Sequence, residues 1–393
     1  MAAPSRRLLL ITPDFPPAHG GIQALMHGVA ANLRELDPAV VALGGAAARA
    51  WDAASPLDVR RVPAGPRGHR ASVALLNAAG LARALALRPA VVLAGHVVAA
   101  PAALAARRLA GVPVVQYVHA DEFRTRPGLT ARAVSEADAT IAVSRYTRDL
   151  AVRAGAPEGR VHLVHPGVDE RRAERAAAAA RPPGEWGAPA GERAAPAGEW
   201  GGPAGERPPT LLTVARLTEH KGHDVVLRAL PRVRDAVPGV RWVVVGDGER
   251  RGALEQLARE RGVESAVRFA GAVGDAERDA WLAQADVFVM PSRVPPGGVG
   301  GEGFGIAYVE AGLFGVPSVA GDRGGAVDAV VDGETGLLVD ATDPRAVADA
   351  LVELLTDAPL RERLGAAARQ RAREHAWPRV AERVEAVLAG VAR

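Results

Sequence analysis

A short apolar run followed by a longer alanine- and arginine-rich stretch recurs along this chain, in two separate series. In the first, candidate strands at 8–11, 40–43, 91–94, 114–117, 140–143 and 161–164 alternate with candidate helices at 22–36, 72–87, 101–109 and 147–154. In the second, candidate strands fall at 210–215, 240–245, 267–270, 287–290, 317–320 and 336–339. Short apolar strands that alternate with helices predict parallel sheets wrapped on both faces. The 393 residues suffice for two separate cores. The expected fold class is α/β, with two doubly wound, Rossmann-like domains facing across a cleft. Open parallel sheets bind ligands beyond the carboxyl ends of their strands, so the cleft is where a site belongs.

Between the two series the pattern stops. Residues 171–209 run from an Arg/Ala-rich stretch into a repeat, Pro182-Pro-Gly-Glu-Trp-Gly and then Pro196-Ala-Gly-Glu-Trp-Gly. Proline and glycine dominate and no apolar period exists, so a disordered linker is expected there. Trp186 and Trp200 recur within it, either as a partner motif or as a neutral expansion. The expected division is a first domain over 1–170, the linker over 171–209, a second domain over 210–376 and a closing helix over 377–393.

Several classes of chemistry drop out. The chain has no cysteine, which removes disulfides, thiol nucleophiles and thiolate metal sites. The apolar run Leu8-Leu9-Leu10-Ile11 is too short for a signal sequence and ends in Thr12-Pro13-Asp14, so a buried first strand is expected. The most apolar stretch, 89–106, contains Gly95, His96 and Pro101 and reads as strand, loop and helix rather than a membrane span. The net charge is +3 and the arginines are scattered along helical faces, which speaks against nucleic acid. A weakly basic surface that meets anionic lipid remains open. Gly246-Asp247-Gly248 lacks the third glycine of a dinucleotide fingerprint, no phosphate-binding P-loop consensus occurs, and no two aspartates form an Asp-x-Asp metal motif.

What remains is a set of charged and glycine positions at predicted strand ends. Lys221 is the only lysine in the chain and lies close to Arg216, just after the first strand of the second series. A planar guanidinium beside a mobile ammonium suits a diphosphate; a solvated loop lysine is the plainer reading. Gly20-Gly21-Ile22 follows the first strand, either as a simple turn or as a helix start whose N–H groups face an anion. His119 follows the strand at 114–117, where a histidine is either a structural hydrogen-bonder or a catalytic group. Glu302 and Glu310 flank a glycine-rich turn and the first part of a helix; full helix would set them about 12 Å apart along the axis. Hydrolytic carboxylate pairs stand about 5 to 9.5 Å apart, so two acids touching different parts of one extended ligand is the better reading.

Together these residues resemble the retaining, nucleotide-sugar-dependent glycosyltransferases of family 4, which have the GT-B fold. Glu302-Gly-Phe-Gly-Ile-Ala-Tyr-Val-Glu310 matches the family's paired-glutamate signature, and Arg216 with Lys221 its basic pair. More narrowly, Asp14-Phe-Pro-Pro, Gly20-Gly-Ile-Gln23, Val143-Ser-Arg-Tyr-Thr-Arg148, Pro166-Gly-Val-Asp169 and Met290-Pro-Ser-Arg293 resemble actinobacterial mannosyltransferases that extend phosphatidylinositol mannosides. His119-Ala-Asp-Glu122 departs from the His-Gly-His-Glu common in those enzymes. The resemblance covers essentially the whole chain except the repeat.

The resemblance implies roles. Arg216 and Lys221 hold the donor diphosphate, and Gly21 brings its amide towards it from the other domain. Glu310 takes the ribose hydroxyls, and Val273 lies near the base. Glu302 and the backbone of Gly303, Phe304 and Gly305 face the donor sugar. His119 contacts the sugar's 6-hydroxyl and supports charge at the anomeric carbon. It implies front-face transfer with retention and no metal or other cofactor, and a last helix that packs back on the first domain. The expected reaction carries mannose from GDP-mannose to a phosphatidylinositol-mannoside lipid, by a cytoplasmic protein peripheral at the inner face of the plasma membrane. Transfer from a UDP- or GDP-sugar to a small soluble acceptor is a second reading, and a sugar-nucleotide-binding protein without turnover a third.

Overall fold

Strands of nearly unbroken Val, Leu, Ile and Ala have no face to offer water, and each sheet is covered on both sides. The computed structural model describes residues 7–45, 47–64, 69–178 and 208–392. The first series comprises β1 (Arg7–Thr12), α1 (Gly21–Asn32), β2 (Asp37–Gly44), α2 (Ala48–Ala54), β3 (Asp58–Pro63), α3 (His69–Leu87), β4 (Val91–Ala94), α4 (Ala100–Ala110) and β5 (Val114–Val118). It continues with α5 (Glu122–Thr125), α6 (Pro127–Glu136), β6 (Ala139–Ala142), α7 (Arg145–Arg153), β7 (Val161–Leu163) and α8 (Arg172–Ala178). The second opens with β8 (Thr210–Val214), α9 (His223–Ala236), β9 (Arg241–Val245), α10 (Arg251–Glu260), β10 (Val267–Gly271), α11 (Asp275–Gln284) and β11 (Val287–Met290). It ends with α12 (Ile306–Leu313), β12 (Ser318–Gly321), α13 (Ala326–Ala329), β13 (Gly336–Val339), α14 (Pro344–Thr356), α15 (Ala358–Glu374) and α16 (Trp377–Val391).

The first seven strands form one sheet in the order β3-β2-β1-β4-β5-β6-β7, and the other six form a second, β10-β9-β8-β11-β12-β13. Neighbouring strands are parallel in both. Two doubly wound α/β domains are therefore present, as expected. Strand order reverses between β1 and β4 in one sheet and between β8 and β11 in the other. Such reversals open a crevice at the carboxyl ends, because the flanking helices leave to opposite faces.

β3 and α8 differ from the sequence expectation. β3 pairs with β2 at the sheet edge, although Asp58-Val-Arg-Arg-Val-Pro63 reads as polar. An edge strand with one wet face tolerates those charges: Arg7 and Arg83 both bridge to Asp58. The span from 171 was expected to be disordered, but Arg172–Ala178 is helical and packs on α11. Residues 179–207, which hold the repeat with Trp186 and Trp200, lie outside the described residues.

The chain crosses between domains twice, and the crossings lie side by side. Val168 donates its N–H to His375 O at 2.8 Å and accepts from Trp377 N–H at 3.2 Å. After the second crossing, α16 lies against α1. Glu385 on α16 accepts from the backbone N–H groups of Arg34, Glu35 and Leu36, at 3.2, 2.7 and 2.9 Å.

A second tie sits at the cleft edge. Asp328, on α13 and 1% exposed, accepts from the Arg145 backbone N–H and Nε, both at 2.6 Å, and from His165 Nε2 at 3.3 Å. Burial raises its pKa, but the hydrogen bonds from His165 and Arg145 outweigh that and push it down to about 2. A depressed carboxyl stabilises the folded form fully above its ordinary value and loses that contribution as pH falls through the folded value. Asp328→Asn is accordingly expected to melt below the parent at pH 5 to 7, with the gap closing between about pH 4 and pH 2. A pH-independent gap in calorimetry would contradict the latch.

Candidate active site

Both reversal points contribute side chains to the same cleft. β1 leads to Gly21, β4 to His96 and β5 to His119, while β8 leads to Lys221 and β11 to Glu302. Lys221 closes a short 3-10 turn, Glu219–Lys221. That turn ends at Gly222 with φ 77, where an added Cβ would stand 2.1 Å from Pro291 O, so only glycine lets the loop fold down onto the β11 end. Lys221 Nζ thereby reaches Glu302 Oε2 at 2.6 Å, across 81 positions of sequence. Both side chains are mostly buried, at 16% and 12% exposure. Burial alone would raise the Glu302 carboxyl; the Lys221 ammonium and the Phe304 amide outweigh it and hold it below the usual range. An ammonium has three donors, so Lys221 keeps two for a ligand.

Two helix N-termini meet beside this pair. α1 starts at Gly21 and α12 at Ile306, and neither has a side-chain cap. An added Cβ on Gly21 would lie 3.7 Å from Ile306 Cγ2, so the two starts face each other across the cleft. Uncapped N–H groups and the positive ends of both helix dipoles favour an anion there. The opposing backbones are in close contact as well. An added Cβ on Gly303 would stand 1.9 Å from the His119 carbonyl oxygen.

His119 is 9% exposed, with its ring stacked on Tyr117 at 5.7 Å. Its Nε2 lies 2.9 Å from Gly95 O. A carbonyl only accepts, so Nε2 carries the proton and Nδ1 is left for a ligand. Glu122 fixes the turn by accepting from the N–H groups of His119 and Ala120, at 2.6 and 3.0 Å. Ala120 sits at φ 150, a conformation glycine takes more readily, so this departure from His-Gly-His-Glu falls where the backbone is strained.

The other expected residues are less uniform. Arg216 is exposed and makes no ion pair among the described residues, leaving its guanidinium open to an anion. Val273 is half-buried between β10 and α11, at the carboxyl end of the second sheet. Gly305 caps α12 with φ 89. The Phe304 ring turns away into the domain joint, stacked on His165 at 5.1 Å, and its amide is used by Glu302. Glu310, on α12, accepts from Arg172 Nη1. Sequence reasoning missed Arg172, although it follows Pro166-Gly-Val-Asp169 by only a few positions. It also missed His220, which lies close enough to Lys221 and Glu302 to feel both. Burial and the Lys221 charge push the His220 pKa down to about 4, so its ring is neutral near pH 7.

Two family models match the chain. One described as Glycosyltransferase Family 4 covers residues 19–172, and one described as Glycosyl transferases group 1 covers residues 200–371. The GDP-mannose-dependent alpha-(1-6)-phosphatidylinositol monomannoside mannosyltransferase of Mycolicibacterium smegmatis is 32% identical over 397 residues, covering 98% of each protein. The protein of the same name from Mycobacterium tuberculosis is 35% identical over 388 residues, covering 93% of each. Among solved structures, Anabaena HepE in complex with UDP-glucose gives a TM-score of 0.75 at 20% identity, covering 98% of this chain and 99% of that one. Sucrose-phosphate synthase from Thermosynechococcus elongatus gives 0.75 at 18% identity, with 98% of each covered. Those two likenesses speak to the fold. With one family model on each domain and relatives matched from end to end, the chain belongs to the GT4-type glycosyltransferases of the GT-B fold.

Proposed function

We propose that this glycosyltransferase moves mannose from GDP-mannose to a phosphatidylinositol-mannoside lipid, with retention at the anomeric carbon. The observation that carries a donor of this kind is the Lys221–Glu302 pair set beside the facing starts of α1 and α12. A diphosphate at those N-termini receives Lys221 and Arg216 from one domain and the Gly21 amide from the other. Glu302 and His119 Nδ1 then face the sugar, and Glu310 the ribose. The C–O bond to the phosphate breaks as the acceptor hydroxyl attacks from the same face, and the departing phosphate oxygen takes the acceptor's proton. The protein's part is electrostatic: it stabilises the leaving diphosphate and the cationic sugar. Its own cations and helix ends serve that charge, so the reading needs no metal ion.

A lipid acceptor is supported by the relatives' substrates and by α3. Among the described residues, Arg70–Leu87 is long and apolar enough to cross a membrane, yet here it is docked on the first sheet through Leu76, Gly80 and Ala84. Its outward face carries Ala74, Leu75, Ala78, Ala82, Leu85 and Ala86 and no charge, with Leu75 51% and Leu85 41% exposed. Exposed Arg70 and Arg88 stand at its two ends. A dry helical face between cations suits an anionic lipid surface. The start of α3 lies at the carboxyl edge of the sheet, on the cleft side.

Incubation with labelled GDP-mannose and mannosylated phosphatidylinositol in vesicles tests the reaction. Labelled lipid is expected; none, alongside transfer from another donor or to a soluble aminocyclitol, refutes it. Leu75→Glu with Leu85→Glu should lower lipid transfer tenfold or more, since each buried leucine contributes about 1.5 to 3 kcal/mol. GDP affinity should stay at the parent value. Unchanged transfer in vesicles would remove the lipid-facing role of α3.

A further inference from the structure

Arg172 is 8% exposed and is held between two carboxylates that the reaction scheme above does not bring together. Its Nη1 donates to Glu310 Oε1 and its Nη2 to Asp279 Oδ1, while Nε lies 3.2 Å from both Asp279 oxygens. The two acids come from different helices, Asp279 from α11 and Glu310 from α12. The arginine comes from neither; it opens α8, just after the crossing at Val168. Glu310 Oε2 has no protein partner among the described residues.

We propose that Arg172 is a positioning residue for Glu310: it occupies one oxygen of that carboxylate and turns the other towards the donor's ribose hydroxyls. The proposal rests on the reading of Glu310 as the ribose acceptor. A planar fork can bridge two carboxylates in a fixed orientation, whereas an ammonium supplies only a point charge. Without the fork, two largely buried carboxylates are left together. Like charges at close range drive one of them to take a proton or turn away. Because Arg172 sits on the segment joining the domains, it also ties the nucleotide grip to the place where the chain crosses.

Titration calorimetry with GDP and with 2′,3′-dideoxy-GDP tests this on the full chain. The parent is expected to prefer GDP by tenfold or more, the scale of one hydrogen bond to a charged group. Arg172→Ala should weaken GDP binding by a similar factor and remove the preference, raising the donor KM with kcat at saturation nearly unchanged. Arg172→Lys should recover part of the loss and guards against a folding defect in the alanine variant. In a Glu310→Gln background, Arg172→Ala should cost little more. An Arg172→Ala protein that binds both nucleotides more weakly but keeps the preference overturns the proposal, as does one that binds GDP more tightly. A parent that does not distinguish the two nucleotides removes the ribose reading of Glu310 itself, and the proposal with it.

Discussion

Lys221→Ala and Glu302→Gln should each lower kcat/KM about 100-fold or more, the scale on which a lost transition-state donor acts. The two losses should divide differently between kcat and KM. In the proposed function Lys221 carries charge towards a diphosphate present in ground and transition states alike, so its loss should raise the donor KM as well as lower kcat. It also strands Glu302: with the ammonium gone, burial is opposed only by weaker partners, and the carboxyl moves up towards neutrality. Glu302→Gln keeps the shape but replaces one acceptor oxygen with a donor and removes the negative charge that, in the proposed function, faces the sugar. Its cost should therefore fall mainly on kcat, where positive charge develops. The double variant should lose little beyond the worse single one, because the groups touch at 2.6 Å and act as a unit. Steady-state kinetics with circular dichroism as a folding check decides. Near-normal rates in both single variants would remove the site assignment.

How far these side chains could be read in advance depends on what kind of signal each one leaves. The buried strands were legible because β1, β4, β9 and β11 are short blocks of unbroken apolar residues, covered on both faces. β3 was not, since its charges break the pattern: Arg60 is exposed at the sheet edge, while Arg61 is held by Asp52 and lies over the Phe15 and Trp51 rings. Lys221, Glu302 and Glu310 could be found because they sit in motifs with a fixed spacing. The contact of the Glu302 loop with the other domain, Gly303 against the His119 carbonyl and Ile306 against Gly21, could not: it is set by how two domains lie, and sequence period says nothing of that. Arg172 failed for a different reason. An Arg/Ala stretch without apolar period beside a Pro/Gly repeat reads as linker, yet α8 is held by ion pairs to α11 and α12 more than by an apolar face. His220 left no signal beyond its place next to Lys221.

The same dependence on domain placement gives the second large effect. Gly303→Ala should lower kcat/KM about 100-fold while GDP affinity changes little. An added Cβ at this position would stand 1.9 Å from the His119 carbonyl oxygen, on the other domain. Carbon and oxygen need about 3.3 Å, so one backbone must retreat by more than an ångström. The loop cannot simply back away: Gly325 packs behind it, its own ideal Cβ position only 2.0 Å from the Gly303 oxygen. The remaining freedom is between the domains, and there a 1 Å displacement of reacting groups costs on the order of 100-fold. In the proposed function the donor's diphosphate and ribose contacts come mostly from Lys221, Arg216 and Glu310 on the second domain, and these should survive. Small-angle scattering of the GDP-bound variant should report a more open particle than the parent. Parent-like turnover in Gly303→Ala would mean that the reaction does not require the two domains to approach this closely, and the cleft geometry built from His119, Gly21 and Glu302 would have to be redrawn.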